Sequence, residues 1–186
     1  MPSRRVARRS IYSRPMNSVV VMGVAGCGKS SVAAALAEQL GCVLIEGDDF
    51  HPETSKAKMR RGIALTDADR RGWLTTLALQ LSRHPTGAVL ACSALKRRYR
   101  NQLRAGAPGL RFVFLDIDEA TARDRVAGRP EHLFPPALVA SQFDALEPPI
   151  DEPDVLRVDG RLPLASVLDE VLKWLDTTAR ATPAER

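Results

Sequence analysis

The chain has 186 residues, 45 % of them hydrophobic, which suffices for one well-packed domain and is short for two. No apolar run approaches the roughly 20 residues that span a bilayer, the charged N-terminus does not read as a secretory signal, and Cys27, Cys42 and Cys92 form no C-x-x-C pair, as suits reduced thiols in a cytoplasm. The net charge of +5 comes from Arg4, Arg5, Arg8, Arg9 and Arg14: without them the chain carries 22 basic and 22 acidic residues, so neither a nucleic-acid nor a membrane partner is expected for its body.

Residues 1–15 (MPSRRVARRSIYSRP) read as a disordered basic tail, or as sequence ahead of a true start at Met16; a nucleic-acid-binding arm or a transit peptide is the alternative. Residues 16–180 read as one domain, and 181–186 as a second short tail. Five apolar runs are expected to be strands, at 18–22, 42–45, 88–92, 111–117 and 154–159. Helical patterns fall between them, at 29–40, 53–62, 67–83, 94–105, 119–128, 136–146 and 163–179. Near-continuous apolar strands alternating with helices predict a parallel sheet covered on both faces. Gly41 is placed to end the first helix, Thr66 and Asp69 have capping-box spacing, and Ser93 and Asp118 are candidate caps of the helices after them. The segment 129–136, RPEHLFPP, has few helix formers and reads as a loop.

The stretch GVAGCGKS, Gly23–Ser30, fits G-x-x-x-x-G-K-[ST] in full, after a strand and at the start of a helix. Each residue type has a reason. Gly23, Gly26 and Gly28 let the backbone turn its N–H groups onto phosphate oxygens, and the helix N-terminus adds positive potential. Lys29 reaches the outer phosphates, and the Ser30 hydroxyl can ligate Mg²⁺. Val24, Ala25, Cys27 and Ser31 complete the expected ATP-binding set, with Cys27 as a replaceable small residue rather than a reactive thiol.

Ligands of open α/β sheets bind beyond the carboxyl ends of the strands. EGDDFHP, residues 46–52, lies at such an end. If Gly47 does not break the strand, Glu46 and Asp48 share one face and Asp49 points the other way. Asp48 is then placed for an acceptor hydroxyl, with Glu46 behind it near the metal, directly or through water. The plainer alternative makes Asp48 or Asp49 the cap of the helix at 53–62, and His51 a turn residue.

These blocks, with KMRRGIALTDADRRGWL at 58–74, CSALKRRYR at 92–100 and SQFDALEPP at 141–149, resemble the gluconate kinases of the thermoresistant type, which are related in fold to shikimate and nucleoside monophosphate kinases. The likeness runs from about Val19 to the end of the chain. It implies a P-loop kinase with strand order 2-3-1-4-5 and a small lid, phosphorylating the terminal hydroxyl of D-gluconate with ATP and Mg²⁺. It further implies Asp48 at the acceptor hydroxyl, and His51, Lys96, Arg100, His132 and Gln142 as substrate contacts. Lys58, Arg60 and Arg70 fall in the region resembling the acceptor-binding insertion, where a carboxylate clamp favours Arg; Arg70 pairing with Asp67 or Asp69 is the structural alternative. Arg97 and Arg98 read as a solvated face. Arg125 and Arg129, four apart on one helix face, resemble lid arginines that close on the transferred phosphate. Two departures stand out. Glu131-His132-Leu133 replaces the family's Gly-His-Phe, and no aspartate ends strand three, where Ser93 stands instead.

The sequence keeps two rivals open: a P-loop kinase acting on shikimate, another sugar acid or a nucleoside monophosphate, and a nucleotide-binding regulatory protein using the Arg-rich arm on nucleic acid. It leaves a homodimer open as well.

Overall fold

Val19, Val20, Val21 and Met22 are all wholly out of solvent. Successive side chains of a strand point to opposite faces, so a strand buried throughout must have cover on both sides. Val19 and Val21 join a core with Leu36 and Val171, whereas Val20 and Met22 join one with Trp73, Leu77 and Leu103. The strand that carries them, β1 (Val19–Met22), is the middle of a five-stranded parallel sheet ordered β2-β3-β1-β4-β5. Its neighbours are β3 (Ala88–Ala91) and β4 (Arg111–Asp116), with β2 (Val43–Glu46) and β5 (Val155–Asp159) at the edges. Order and direction are as expected.

The structure, a computed structural model, describes residues 17–128 and 135–181. The basic segment 1–15 and the last five residues lie outside the described residues. On the face of Val19 and Val21 pack α1 (Lys29–Leu40) and α7 (Leu164–Ala181), the latter running one residue into the segment read as a C-terminal tail. On the other lie α3 (Asp67–Ser82) and α4 (Arg97–Gly106). The remaining helices are α2 (Glu53–Arg60), α5 (Glu119–Ala127) and α6 (Val139–Ala145). Among the described residues no helix is long and apolar enough to cross a membrane.

Most helix ends follow their sequence signals. Gly41 closes α1 at φ 64°; the Thr66 side chain accepts from Asp69 N–H while Asp69 accepts from Thr66 N–H, a full capping box; and Asp118 accepts from Thr121 N–H at 2.8 Å.

Three expectations fail. Ser93 caps nothing, because α4 starts only at Arg97: Ala94 takes φ 45°, and the Ala94 and Leu95 carbonyls are turned aside to accept from Arg100 Nη1. Nor does Asp48 or Asp49 cap α2, whose preceding residue is Pro52 with no side-chain cap. Finally, the pattern at 136–146 divides into a 3₁₀ turn, Pro136–Leu138, and α6.

Candidate active site

The loop between β1 and α1 turns through Gly23 at φ 138°, Gly26 at φ 82° and Gly28 at φ 101°, a region side chains disfavour. At Gly23 sterics add to conformation: a Cβ there would sit 2.7 Å from the Leu115 carbonyl oxygen. A Cβ at Gly28 would meet nothing within 4 Å, so the backbone lies open where α1 begins. Val24 and Cys27 face the core, and burial pushes the Cys27 thiol up, against the pull of nearby Lys29 and Arg125. Their contribution to an anion is therefore made by the backbone. Lys29 Nζ donates to the Val24 carbonyl at 2.9 Å, which folds the cation back over its own loop.

Beneath the loop, the Ser30 hydroxyl lies near the carboxyl of Glu46, the last residue of β2. Burial raises the Glu46 pKa, Ser30 and Lys29 lower it, and Asp48 and Asp49 add to the rise; the net shift is upward. The strand stops at Glu46 because Gly47 opens a 3₁₀ turn, Gly47–Phe50. A Cβ at Gly47 would come within 2.5 Å of the Ala91 carbonyl, and Trp73 Nε1–H donates to the Gly47 carbonyl at 2.8 Å. Strand alternation thus does not decide which way the aspartates point. The turn does, and it brings Asp48 to the cleft while Asp49 stays outside it.

That cleft measures about 880 Å³ with its open mouth, and runs from Gly28, Lys29 and Ser31 past Asp48 to His51 and Arg70. His51 is buried and stacks on Trp73, ring centres 4.1 Å apart at 15°. Its Nε2 lies 3.7 Å from Asp48 Oδ1, and its buried Nδ1 has no partner among the described residues. Burial lowers the His51 pKa to about 4; Asp48 works against this, and Arg70 and Lys56 with it. The ring is neutral at physiological pH. Met59, Leu65 and Leu138 form a small apolar cluster in the same cleft, joining α2 and its following loop to the turn before α6.

A family model described as an AAA domain matches residues 19–149. A gluconokinase of Gluconobacter oxydans (strain 621H) is 43 % identical over 158 residues, 83 % of this chain and 89 % of that protein. The crystal structure of a gluconokinase from Sinorhizobium meliloti 1021 superposes with a TM-score of 0.83 at 44 % identity, covering 90 % of this chain and 96 % of that one. The chain belongs to the AAA-domain family and, within its relatives, to the gluconokinases. A shikimate kinase from Aquifex aeolicus vf5, 21 % identical with a TM-score of 0.60 over 87 % of this chain and 98 % of that one, shares the fold alone.

In this gluconokinase-family cleft, several residues expected at the substrate are already spoken for. Arg100 is fully buried: Nε and Nη2 bond Glu152, Nη1 bonds the Ala94 and Leu95 carbonyls, and Nη2 also reaches the Glu147 carbonyl. Expected as a substrate contact, it has no donor left to offer in this structure and does not border the cleft. Lys96 is 3.1 Å from Asp67, which Arg98 and Tyr99 also bind; the Tyr99 bond is the main cause holding Asp67 well below the usual carboxylate range. Arg98 is therefore more than a solvated face. Lys58 is 2.7 Å from Asp69 and, with Thr66, holds that carboxyl down at about 2. Arg60 pairs with Glu53 on the surface. None of Lys58, Arg60 and Lys96 borders the cleft, because each finds a carboxylate on the outside of α2 or α3.

Those pairings release Arg70. It bonds neither Asp67 nor Asp69, donates Nη1 to the Leu65 carbonyl and borders the cleft. Arg125 lies behind the phosphate loop, its Nη1 donating to Gly160 at 2.9 Å and Gly26 at 3.4 Å. Arg129 and His132 fall outside the described residues. Gln142 accepts from Ala25 N–H at 2.7 Å, a tie between α6 and the loop that no local sequence signal announces. Trp73, Ser93 and Ser141 also line the cleft. Trp73 belongs to the Gly72-Trp73-Leu74 stretch, and only the stack on His51 distinguishes it from a core aromatic.

If His51 is held neutral by burial, its pH signature follows. Between its unfolded pKa of about 6.5 and the folded value of about 4, the unfolded chain binds a proton the folded one does not. Stability is lost as pH falls through that window, by about 2 kcal/mol between pH 7 and pH 5. A His51→Phe variant keeps a ring for Trp73 and lacks the titration. Thermal melts of both proteins should show the variant gaining on the wild type as pH drops from 7 to 5, and a gap that is constant in pH would disprove the assignment.

Proposed function

We propose that the protein transfers the γ-phosphoryl group of ATP to the terminal hydroxyl of D-gluconate, giving 6-phospho-D-gluconate and ADP. One observation carries this reading. A single cleft joins the phosphate-loop cation Lys29, the carboxylate Asp48 and the cation Arg70, which has no carboxylate partner among the described residues. That is the set needed to hold a nucleotide, take a hydroxyl proton and bind an acid. The relatives' gluconokinase names support the acceptor.

The site fits Mg²⁺ as a guest of the nucleotide. Ser30 and Glu46 present hard oxygen donors side by side next to the loop, and among the described residues no group of three His, Cys, Asp or Glu forms a ready-made cage. Mg²⁺ characteristically binds through one or two protein oxygens, with phosphates and water as its other ligands; when bound it neutralises phosphate charge. Ser30 would hold it, with Glu46 behind.

Catalysis by the chain's own groups is mainly positioning. The loop N–H groups and Lys29 fix the phosphates. Arg70 holds the sugar acid by its carboxylate, in the geometry that guanidinium favours. Asp48 accepts the proton of the terminal hydroxyl as its oxygen bonds phosphorus and the bond from phosphorus to the β–γ bridging oxygen breaks. Neutral His51, stacked on Trp73, limits where Asp48 and the sugar can sit. Arg125, behind the phosphate loop in this structure, and Arg129 belong to the proposed catalytic set, and His132 to the proposed contacts of the sugar acid. Free thiols at Cys27, Cys42 and Cys92 support a cytoplasmic setting.

The test is a coupled ADP assay with a panel of acceptors. ATP turnover should depend on D-gluconate, and equal or greater stimulation by shikimate or by a nucleoside monophosphate would overturn the assignment.

A further inference from the structure

Gln142 lies on α6 and is only 8 % exposed. Its Oε1 accepts from Ala25 N–H of the phosphate loop at 2.7 Å. A backbone N–H can only donate, so the atom it meets must be the carboxamide oxygen. This fixes the other edge of the amide. Nε2, which has two hydrogens to give and no acceptor capacity, is turned away from the loop. No described residue accepts from it, and the side chain borders the same cleft as Lys29 and Asp48.

Nε2 stays open to the cleft, so whatever enters there can accept from it. The arrangement makes chemical sense when something entering the cleft supplies the acceptor. Two kinds of oxygen enter in the reaction proposed above, on which this inference rests: those of the transferred phosphoryl group and those of the sugar acid. A donor on the attacking hydroxyl would draw electron density from the oxygen that Asp48 is to activate. Phosphoryl oxygens accept only, and they gather charge as transfer proceeds. A donor fixed in place is worth more to them at that point than in the ground state.

We propose that Gln142 Nε2 donates to an oxygen of the transferred phosphoryl group, its orientation set by Ala25 N–H. Gln142 is then a catalytic residue rather than a sugar contact. Because it rides on α6, the same bond registers that helix against the phosphate loop.

Two variants separate a donor from a prop. Gln142→Glu keeps an oxygen for Ala25 N–H and loses the donor, whereas Gln142→Met loses both. The readouts are kcat with ATP, ADP affinity by titration, and thermal melting as a check of folding. Both variants should lose about 10²-fold in kcat, as when one transition-state donor is removed, while Gln142→Glu binds ADP, which lacks the transferred group, within about threefold of wild type. The kcat deficit of Gln142→Glu should also shrink as pH falls towards a carboxyl pKa of about 4.3, where the neutral acid regains a donor hydrogen.

Near-wild-type turnover by Gln142→Glu at neutral pH overturns the proposal. So does a loss of ADP affinity that matches the loss of kcat, since that would make Gln142 a support of the loop alone. If Gln142→Met fails to fold, Gln142→Glu decides by itself. An error in the acceptor shows in the wild-type panel and leaves this comparison intact with whichever acceptor is active.

Discussion

Asp48→Asn is expected to lower kcat about 10²–10⁴-fold, the usual worth of a positioned general base. The substitution keeps the side chain's size and removes its charge and its capacity to take a proton. ATP affinity should change little, because the loop from Gly23 to Ser30 is untouched and Asp48 makes no bond to it. Nor should folding suffer: the Asp48 side chain is 53 % exposed and the neutral ring nitrogen nearest to it, His51 Nε2, is beyond hydrogen-bond distance at 3.7 Å. Asp49→Asn is the control. Asp49 lies outside the cleft and caps no helix, so its replacement should stay within about 0.5 kcal/mol in stability and leave turnover near wild type. Turnover, nucleotide titration and melting of both variants decide the matter. Loss of activity in Asp49→Asn with Asp48→Asn unharmed would exchange the two roles.

The choice between these aspartates was only partly legible in the sequence. Strand alternation favoured Asp48 on the condition that Gly47 left the strand unbroken. The strand does break there, and Asp48 reaches the cleft by a 3₁₀ turn that Gly47 permits and Trp73 fastens. The expectation agreed with the position for a reason that does not hold. Local chemistry served better elsewhere. The glycines and Lys-Ser of the phosphate loop, the Thr66–Asp69 box and the Gly41 stop are short-range signals, and each appears where its residues stand. The parallel sheet was legible for the same reason, since runs such as Val19–Met22 are apolar on both faces.

What sequence reading missed depends on which charges meet across the fold. A run such as Lys96-Arg-Arg-Tyr-Arg100 gives no sign that Asp67, 29 residues away from Lys96, will gather Lys96, Arg98 and Tyr99. Neither does it show that Arg70 will be spared. Cations near a site divide into those already neutralised by the protein and those left for a ligand, and that division is a tertiary property. The Ala25–Gln142 bond, spanning 117 residues, belongs to the same class.

Arg100 offers the sharpest test of that division. It and Glu152 are 1 % and 4 % exposed at the side chain, and Arg104 completes the cluster at 2.9 Å from Glu152. Burial alone would raise the Glu152 pKa, but the bonds from Arg100 and Arg104 outweigh it and hold the carboxyl below its ordinary value. The stabilisation is therefore present above an unfolded carboxyl pKa of about 4.3 and fades as pH falls below it. Arg100→Met removes one partner, leaves Glu152 short of a counter-charge and strips donors from the Ala94, Leu95 and Glu147 carbonyls. Breaking a buried pair from one side costs about 3–5 kcal/mol, so a large drop in Tm is expected. Adding Glu152→Gln should restore part of it, because the uncompensated carboxylate goes and Arg104, partly exposed, can turn to water. The acceptor KM, measured well below the lowered Tm, should stay within about threefold of wild type, since uniform binding to the sugar is not what was removed. A variant that melts like wild type yet needs far more gluconate would return Arg100 to the substrate, and would require the 94–100 segment to open when the sugar acid binds.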